Sequence, residues 1–417
     1  MTVSLHVAIK VYGKHIFSMT STKKNDSDNN SHKNLRVAVI HAFFVPKGGG
    51  EKLIFDIRDH YKADLYAGAL DSDIWNKEKV KTDSFVQRLY NPEYHFEYLH
   101  EDSKTRIWRK IWRQWHFLVN PKLEKLLDYD VVIFSGNIGI VPQRLKRLAA
   151  KRGIACPKLV MYCHTPPRPF TDQFESIIEH KNPLLQAAAR VFQKMVLWQY
   201  KNDTLEMDEV ITNSENTRQR LLTFTGIDST PIYPGVDTNR FTWKKSGDYF
   251  LSYARIEKIK RIPLILDAFE KMPDQQLIIA SIGPMADWLK EQIELRKLKN
   301  VVYEGLVTDE RLAELAGGCR AGIYIPVDED AGMTQCELMA AGKPVIGVAE
   351  GGLKETIIDG ETGVLLPANP AVEDLIDAVK KMTSKKAESM RLASEKQGKK
   401  YDLSVFYDKL DKLVSKK

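Results

Sequence analysis

From residue 35 onward, short apolar runs alternate with longer stretches of helical period. The first half of the chain supplies LRVAVIHAFF, ADLYAGAL, DVVIFSG, KLVMYCH and EVITNSE; the second supplies YFLSYAR, QQLIIASIG, NVVYEG, AGIYIP and KPVIGVA. Continuous β-branched runs predict strands buried on both faces, and their alternation with helices predicts parallel sheets covered on both sides. The alternation restarts after IYPGVDTNRF, where Pro234 and Gly235 mark a joint near residue 237. The expected architecture is α/β: two doubly wound, Rossmann-like domains in tandem, 35–236 and 237–395. Ligands of such sheets sit at the carboxyl ends of the strands, so the residues just after each strand carry the functional question.

Residues 20–34, TSTKKNDSDNNSHKN, contain no apolar side chain and predict a disordered linker. Residues 1–34 are expected to be a disordered or artefactual extension, Met19 being an alternative start. The 417 residues are 43% hydrophobic and 28% charged, a globular composition. Their longest apolar runs fall far short of the roughly 20 residues that span a bilayer. No leader is evident, and the four cysteines (Cys156, Cys163, Cys319, Cys336) show no metal-ligand spacing, which predicts reduced thiols in a cytoplasmic protein. Charge is unevenly spread: residues 101–200 hold 17 Lys/Arg against 8 Asp/Glu, a net +9, while the whole chain is +7. Some face of the first half therefore meets anions, whether phosphates, nucleic acid or an acidic membrane.

In the second half, YARIEKIKR places Arg255 and Lys260 just after a strand. A guanidinium fork and a flexible ammonium there suit a diphosphate, although basic residues on a solvated surface are common. The stretch EDAGMTQCELMAAGKPVIG reads as a loop with Glu329, a helix with Glu337 and a close at Gly342. The amides of Gly332, Met333 and Thr334 would then form an anion-accepting helix start, and the two carboxylates suit sugar hydroxyls. The competing reading is a capping box, Thr334-x-x-Glu337, which would tie Glu337 to its own backbone.

In the first half, HAFFVPKGGGEK sets Gly48, Gly49 and Gly50 between a strand and a helix, a loop able to pass close to a phosphate or sugar. MYCHTPPRPF holds His164 after a strand, stiffened by Pro166 and Pro167; a lone histidine of this kind either packs or works in the site. SKTRIWRKIWRQWHFLVN repeats Trp108, Trp112 and Trp115 at helical spacing, with Arg109 and Arg113 on the opposite face. It reads either as a membrane-interface helix or as an amphipathic helix on the core.

Taken in order, these motifs resemble the family-4 retaining glycosyltransferases of the GT-B fold, over about residues 35–412. ARIEKIKR, SIGP, VVYEGLVTDERLAELAGGCRAGIYIP, the Glu329–Glu337 stretch and EGGLKETIIDGETGVLL carry the resemblance. GGGEK, YCHTPPRPF, ITNSENTRQRL and IYPGVDTNRF are similar to the O-antigen mannosyltransferase (WbaZ-like) branch. The resemblance implies two domains facing a cleft, and a nucleotide-sugar donor held mainly by the second, GDP-mannose being favoured. No metal or other cofactor is implied. Arg255 and Lys260 match the family's diphosphate pair, Glu337 the glutamate on the nucleotide ribose, and Glu329 the one near the donor sugar. Gly332, Met333 and Thr334 lie beside Glu329, Gly49 and Gly50 match the first-domain glycine loop, and His164 matches a histidine near the reacting sugar. Ala331, MTQC and SIGP depart from the family's commoner residues and bear on base and sugar preference. Residues 396–417, with DLSVFYDKLDKLV, resemble a final helix crossing back to the first domain.

The implied activity is transfer of a sugar, mannose by resemblance, to a glycan or polyprenyl-linked acceptor in cell-surface polysaccharide synthesis. The protein would lie peripherally on the anionic inner face of the cell membrane. Alternatives are a sugar-nucleotide epimerase or phosphorylase of the same fold, and a basic nucleic-acid-binding protein. The last lacks any recognised nucleic-acid motif.

Overall fold

The structure, a computed structural model, describes residues 35–41, 48–67, 121–136 and 141–415. The extension 1–34 and the tryptophan segment with Trp108, Arg109, Trp112, Arg113 and Trp115 lie outside the described residues.

The described residues form two six-stranded sheets, and all strand pairs are parallel. The first sheet contains β1 (Val37–His41), β2 (Asp64–Ala67), β3 (Val131–Ser135), β4 (Lys158–Cys163), β5 (Glu209–Thr212) and β6 (Thr230–Pro231), in the order β2-β1-β3-β4-β5-β6. The second contains β7 (Tyr249–Ser252), β8 (Gln276–Ile279), β9 (Val301–Tyr303), β10 (Ala321–Ile323), β11 (Val345–Val348) and β12 (Gly363–Leu366), in the order β12-β11-β10-β7-β8-β9. Strand order reverses between β1 and β3 in one sheet and between β7 and β10 in the other. A crevice opens at each reversal, at the carboxyl ends of the strands.

All five residues of β1 and all five of β3 are buried, as expected of strands covered on both faces. The covering helices of the first domain are α1 (Gly49–Tyr61), α2 (Val141–Arg152), α3 (Phe174–Ile178), α4 (Pro183–Leu205) and α5 (Glu215–Thr225). Those after the joint are α6 (Ile262–Glu270), α7 (Ala286–Leu295), α8 (Asp309–Gly318), α9 (Thr334–Ala340), α10 (Leu353–Thr356), α11 (Val372–Lys381), α12 (Ser384–Lys399) and α13 (Leu403–Val414). Helix α1 shows the logic: Leu53, Ile54, Ile57 and Tyr61 recur on one face and are buried against the first sheet.

Helix α13 crosses back. Its Phe406, Leu410 and Val414, four residues apart, enter the core of the first sheet. Asp411 accepts from the Tyr61 hydroxyl at 2.6 Å and lies 3.0 Å from His60 Nε2, while Tyr407 stacks on the His60 ring. The expected boundary at 396 falls inside α12; the crossing helix starts at Leu403, where Asp402 accepts from the Ser404 N–H as its N-cap. Strands β6 and β12 were not anticipated. β6 is two residues long, and β12, GVLL, falls within a motif read from the sequence only for its family resemblance.

Candidate functional site

On the second sheet, the chain leaving β7 runs directly through the cleft. The Tyr253 hydroxyl is 3.1 Å from Glu337 Oε2 and 2.9 Å from the Thr334 carbonyl, so it ties the β7 edge to the start of α9. Arg255 follows, half-buried. Lys260 closes the next turn with its Nζ 2.5 Å from Glu329 Oε2, so the two residues assigned separately from the sequence form one ion pair.

The loop that carries Glu329 is pinned on both flanks by residues of both domains. Asp328, at φ 41°, accepts through Oδ2 from Arg168 at 2.7 Å and from Arg220 at 2.8 Å. Arg220, itself buried, also bonds Asp330, whose carbonyl accepts from Ser214 at 2.5 Å. From behind, Glu350 accepts from the Asp328 N–H, the Asn369 N–H and Arg261. Burial pushes the Glu350 carboxyl up, but these donors outweigh it and hold the group below its usual range. Gly351 explains the Gly-Gly that follows: at φ 53° its Cβ would stand 2.1 Å from the Glu329 carbonyl, so only glycine lets the loop settle there. The neighbouring Gly352 N–H then donates to that same carbonyl at 2.8 Å.

The competing capping-box reading does not hold. The residue preceding α9 is Met333, and Thr334 is already the first helical residue, so Glu337 falls one position too late to reach the N-cap amide. Its carboxylate turns outward to Tyr253 and to Lys52 of α1, 3.6 Å away. Gly332 stands at φ 74° before the helix, and among the described residues no acceptor meets the N–H groups of Gly332, Met333 or Thr334.

On the first sheet the register builds a different edge. His41 and Ser135 end their strands as direct neighbours, and His164 follows the last residue of β4. Ser135 Oγ lies 2.9 Å from His41 Nδ1 and 2.8 Å from His164 Nε2, bridging the two rings. Burial lowers the His164 pKa to about 4, so its imidazole is neutral at pH 7, and the Ser135 hydroxyl can donate to only one of the two rings it bridges. A Cβ on Gly50 would touch the His164 ring at 3.7 Å, and one on Gly49 would stand 3.0 Å from Met333 Sδ across the cleft. Glu51, whose carboxyl burial pushes up, lies in the field of Arg255, which pulls it back down.

Arg255, Lys260, Glu329, Gly332, Met333, Thr334 and Glu337 thus share one cleft with Gly49, Gly50 and His164. The sequence reading missed His41 and Ser135, each a polar residue closing an apolar run. It also missed Glu51, Lys52, Tyr253, and the Arg168/Arg220 clamp with Asp328 and Asp330. Among the described residues, no group of three or more His, Cys, Asp or Glu is arranged to hold a metal ion, and no helix is long and apolar enough to cross a membrane.

Two doubly wound parallel sheets in tandem, each with polar groups at the carboxyl ends of its strands, make up a GT-B architecture. Comparison with known proteins agrees. Residues 80–240 match the family described as Glycosyltransferase Family 4, and residues 237–401 match Glycosyl transferases group 1. The chain carries both domains and is a GT-B glycosyltransferase. It is 27% identical to the alpha-1,3/1,6-mannosyltransferase ALG2 of Dictyostelium discoideum, over 92% of this chain and 99% of that protein. With ALG2 of Mus musculus it shares 24% identity, over 69% of this chain and 74% of that one. Among solved structures it is similar in fold to HepE of Anabaena in complex with UDP and glucose (TM-score 0.65, 17% identity, 92% and 100% of the two chains). The sucrose-phosphate synthase of Thermosynechococcus elongatus is likewise similar (TM-score 0.66, 16% identity, 91% and 98%).

Proposed function

We propose that the chain transfers a mannosyl group, with retention of configuration, from a nucleotide sugar to a polyprenyl-linked or glycan acceptor at the inner face of the membrane. GDP-mannose is the favoured donor. The observation that carries this reading is the facing of Arg255, the Lys260–Glu329 pair and Glu337 by a neutral His164 in one cleft. Mannose as the sugar draws support from the two ALG2 relatives, which are named as mannosyltransferases. Use in an O-antigen-like surface glycan rests on the motifs GGGEK, YCHTPPRPF and ITNSENTRQRL.

The residues divide the work. Glu337 accepts from the ribose hydroxyls, already oriented by Tyr253. Arg255 and Lys260 take the diphosphate, with the amides of residues 332–334 adding fixed dipoles. The bond from the anomeric carbon to the diphosphate oxygen breaks while the acceptor oxygen bonds the same face of that carbon. The acceptor proton passes to the departing phosphate oxygen, so no protein carboxylate becomes covalently bound. Charge grows on the leaving group, and preorganised cations in a cleft shielded from water stabilise it more than they stabilise the bound donor. His164 and Glu329 hold the sugar in position.

A thermal-shift screen of nucleotide sugars on the wild type and on Glu337→Ala tests the reading. One nucleotide sugar, GDP-mannose first, is expected to raise the melting midpoint of the wild type, and the variant to lose most of that gain. Absence of a response to every nucleotide sugar would count against transfer altogether.

A further inference from the structure

Helix α4 presents a face that the catalytic cleft does not use. Leu184, Val191, Met195 and Trp198 are 81%, 62%, 61% and 66% exposed. With the exposed Ala188 they follow the spacing 4-3-4-3, so they form one stripe down the helix. Four large apolar side chains open along a single stripe exceed the scattered exposure of ordinary surfaces. The opposite side is anchored, with Tyr200 and Thr204 buried, and on a flank the partly exposed Phe192 packs edge-on against Phe170.

Arg190, Lys194 and Lys201 recur at i, i+4 and i+11, a row along one flank of the stripe, and all three are exposed. Arg190 pairs with Glu175 at 2.9 Å; among the described residues no carboxylate pairs with Lys194, Lys201 or the exposed Lys181 at the helix start. From Lys181 to Asn202 there is no acidic residue, and Asp203 is buried. An apolar stripe bordered by unneutralised cations complements a surface that is apolar inside and anionic at its edge. A second copy fits poorly: packed antiparallel on the same stripe, it would set the basic row against its own counterpart. The helix also adjoins the cleft, since Gln193 Nε2 donates to the Phe170 carbonyl and Arg168 of that same turn clamps the acidic loop at Asp328.

We infer that the exposed face of α4 is a docking surface for an anionic lipid bilayer, with the Leu184–Trp198 stripe at the acyl boundary and Lys181, Lys194 and Lys201 among the headgroups. This rests on the membrane-acceptor reading above and adds the surface that meets the membrane. Docking there brings the mouth of the cleft beside the leaflet that holds a lipid-linked acceptor.

The test is co-sedimentation of the full chain with vesicles of phosphatidylcholine alone or mixed with phosphatidylglycerol. The variants are Val191→Ser/Met195→Ser/Trp198→Ser and Lys194→Glu/Lys201→Glu. Each is expected to weaken binding to the mixed vesicles about tenfold or more, the charge variant less so as salt rises, with wild-type melting midpoint and wild-type stabilisation by donor. Unchanged binding in both variants overturns the inference. So does loss confined to a Trp108/Trp112/Trp115 variant, or light scattering that shows the serine variant to be a monomer where the wild type is a dimer. If the serine variant melts early, the charge variant, wholly on the exposed flank, decides. A normal donor response without vesicle binding removes only the docking surface. Vesicle binding by a wild type that no donor stabilises removes the transferase reading instead.

Discussion

The two sheet edges that face the cleft are built from opposite materials. The first is a hydrogen-bonded chain, His41–Ser135–His164, set by strand register, in which burial lowers the His164 pKa. The second is a set of charges, Arg255, Lys260, Glu329 and Glu337, each placed by a loop or helix start after a strand. A chain of hydrogen-bonded side chains orients a ligand, whereas cations stabilise charge that appears during reaction. In the proposed reaction His164 and Glu329 position the sugar while Arg255 and Lys260 take up the leaving group, so alterations of the two sets should fail in different ways.

The sharpest break lies on the charged side. Arg255→Ala is expected to lower kcat with the cognate donor by about 10²–10³. Steady-state rates with saturating donor measure this, and a fall below about threefold would mean that Arg255 does not carry transition-state charge. On the histidine side, Ser135→Ala removes the bridge and leaves two ring nitrogens without it. The expected result is a loss of about tenfold in kcat with the donor KM nearly unchanged, the mark of a positioning residue. A rise in KM alone would instead place Ser135 in ground-state binding.

The smallest effect concerns pH. His164 has a folded pKa lowered to about 4 from 6.5, so between those values the unfolded chain binds the extra proton and stability rises with pH. Asp203, raised to about 7, and Asp56, raised to about 6, both by burial, act in the opposite sense, since their folded forms hold the proton longer. The His164 contribution is therefore read by difference. Relative to wild type, His164→Gln should lose a positive slope of up to about 1.4 kcal/mol per pH unit between pH 4 and 6.5. Urea melts across that range supply the slope, and parallel curves for the two proteins would show that His164 keeps its ordinary pKa.

Much of the charged edge was legible in the sequence because each member sits within a few residues of a recognisable strand. AGIYIP announces Glu329, and YFLSYAR announces Arg255. The histidine edge was half hidden. His164 shows beside its prolines, but His41 and Ser135 meet only through the register of strands 94 residues apart. The Arg168 and Arg220 clamps reach across 160 and 108 residues to Asp328, and no local pattern encodes such a pairing. The competing capping box fails for a related reason: T-x-x-E is a local motif, and Gly332 with Met333 starts the helix one residue early.

Helix α13 sets an order on the birth of the molecule. Phe406, Leu410 and Val414 belong to the core of a sheet whose last strand ends at Pro231. A ribosome adding ~5–20 residues per second needs roughly ten to forty seconds to travel from that strand to this helix. Throughout that interval the first domain waits with a slot open beside Tyr162 and Tyr61, apolar and unfilled. The half of the enzyme made first is the half completed last.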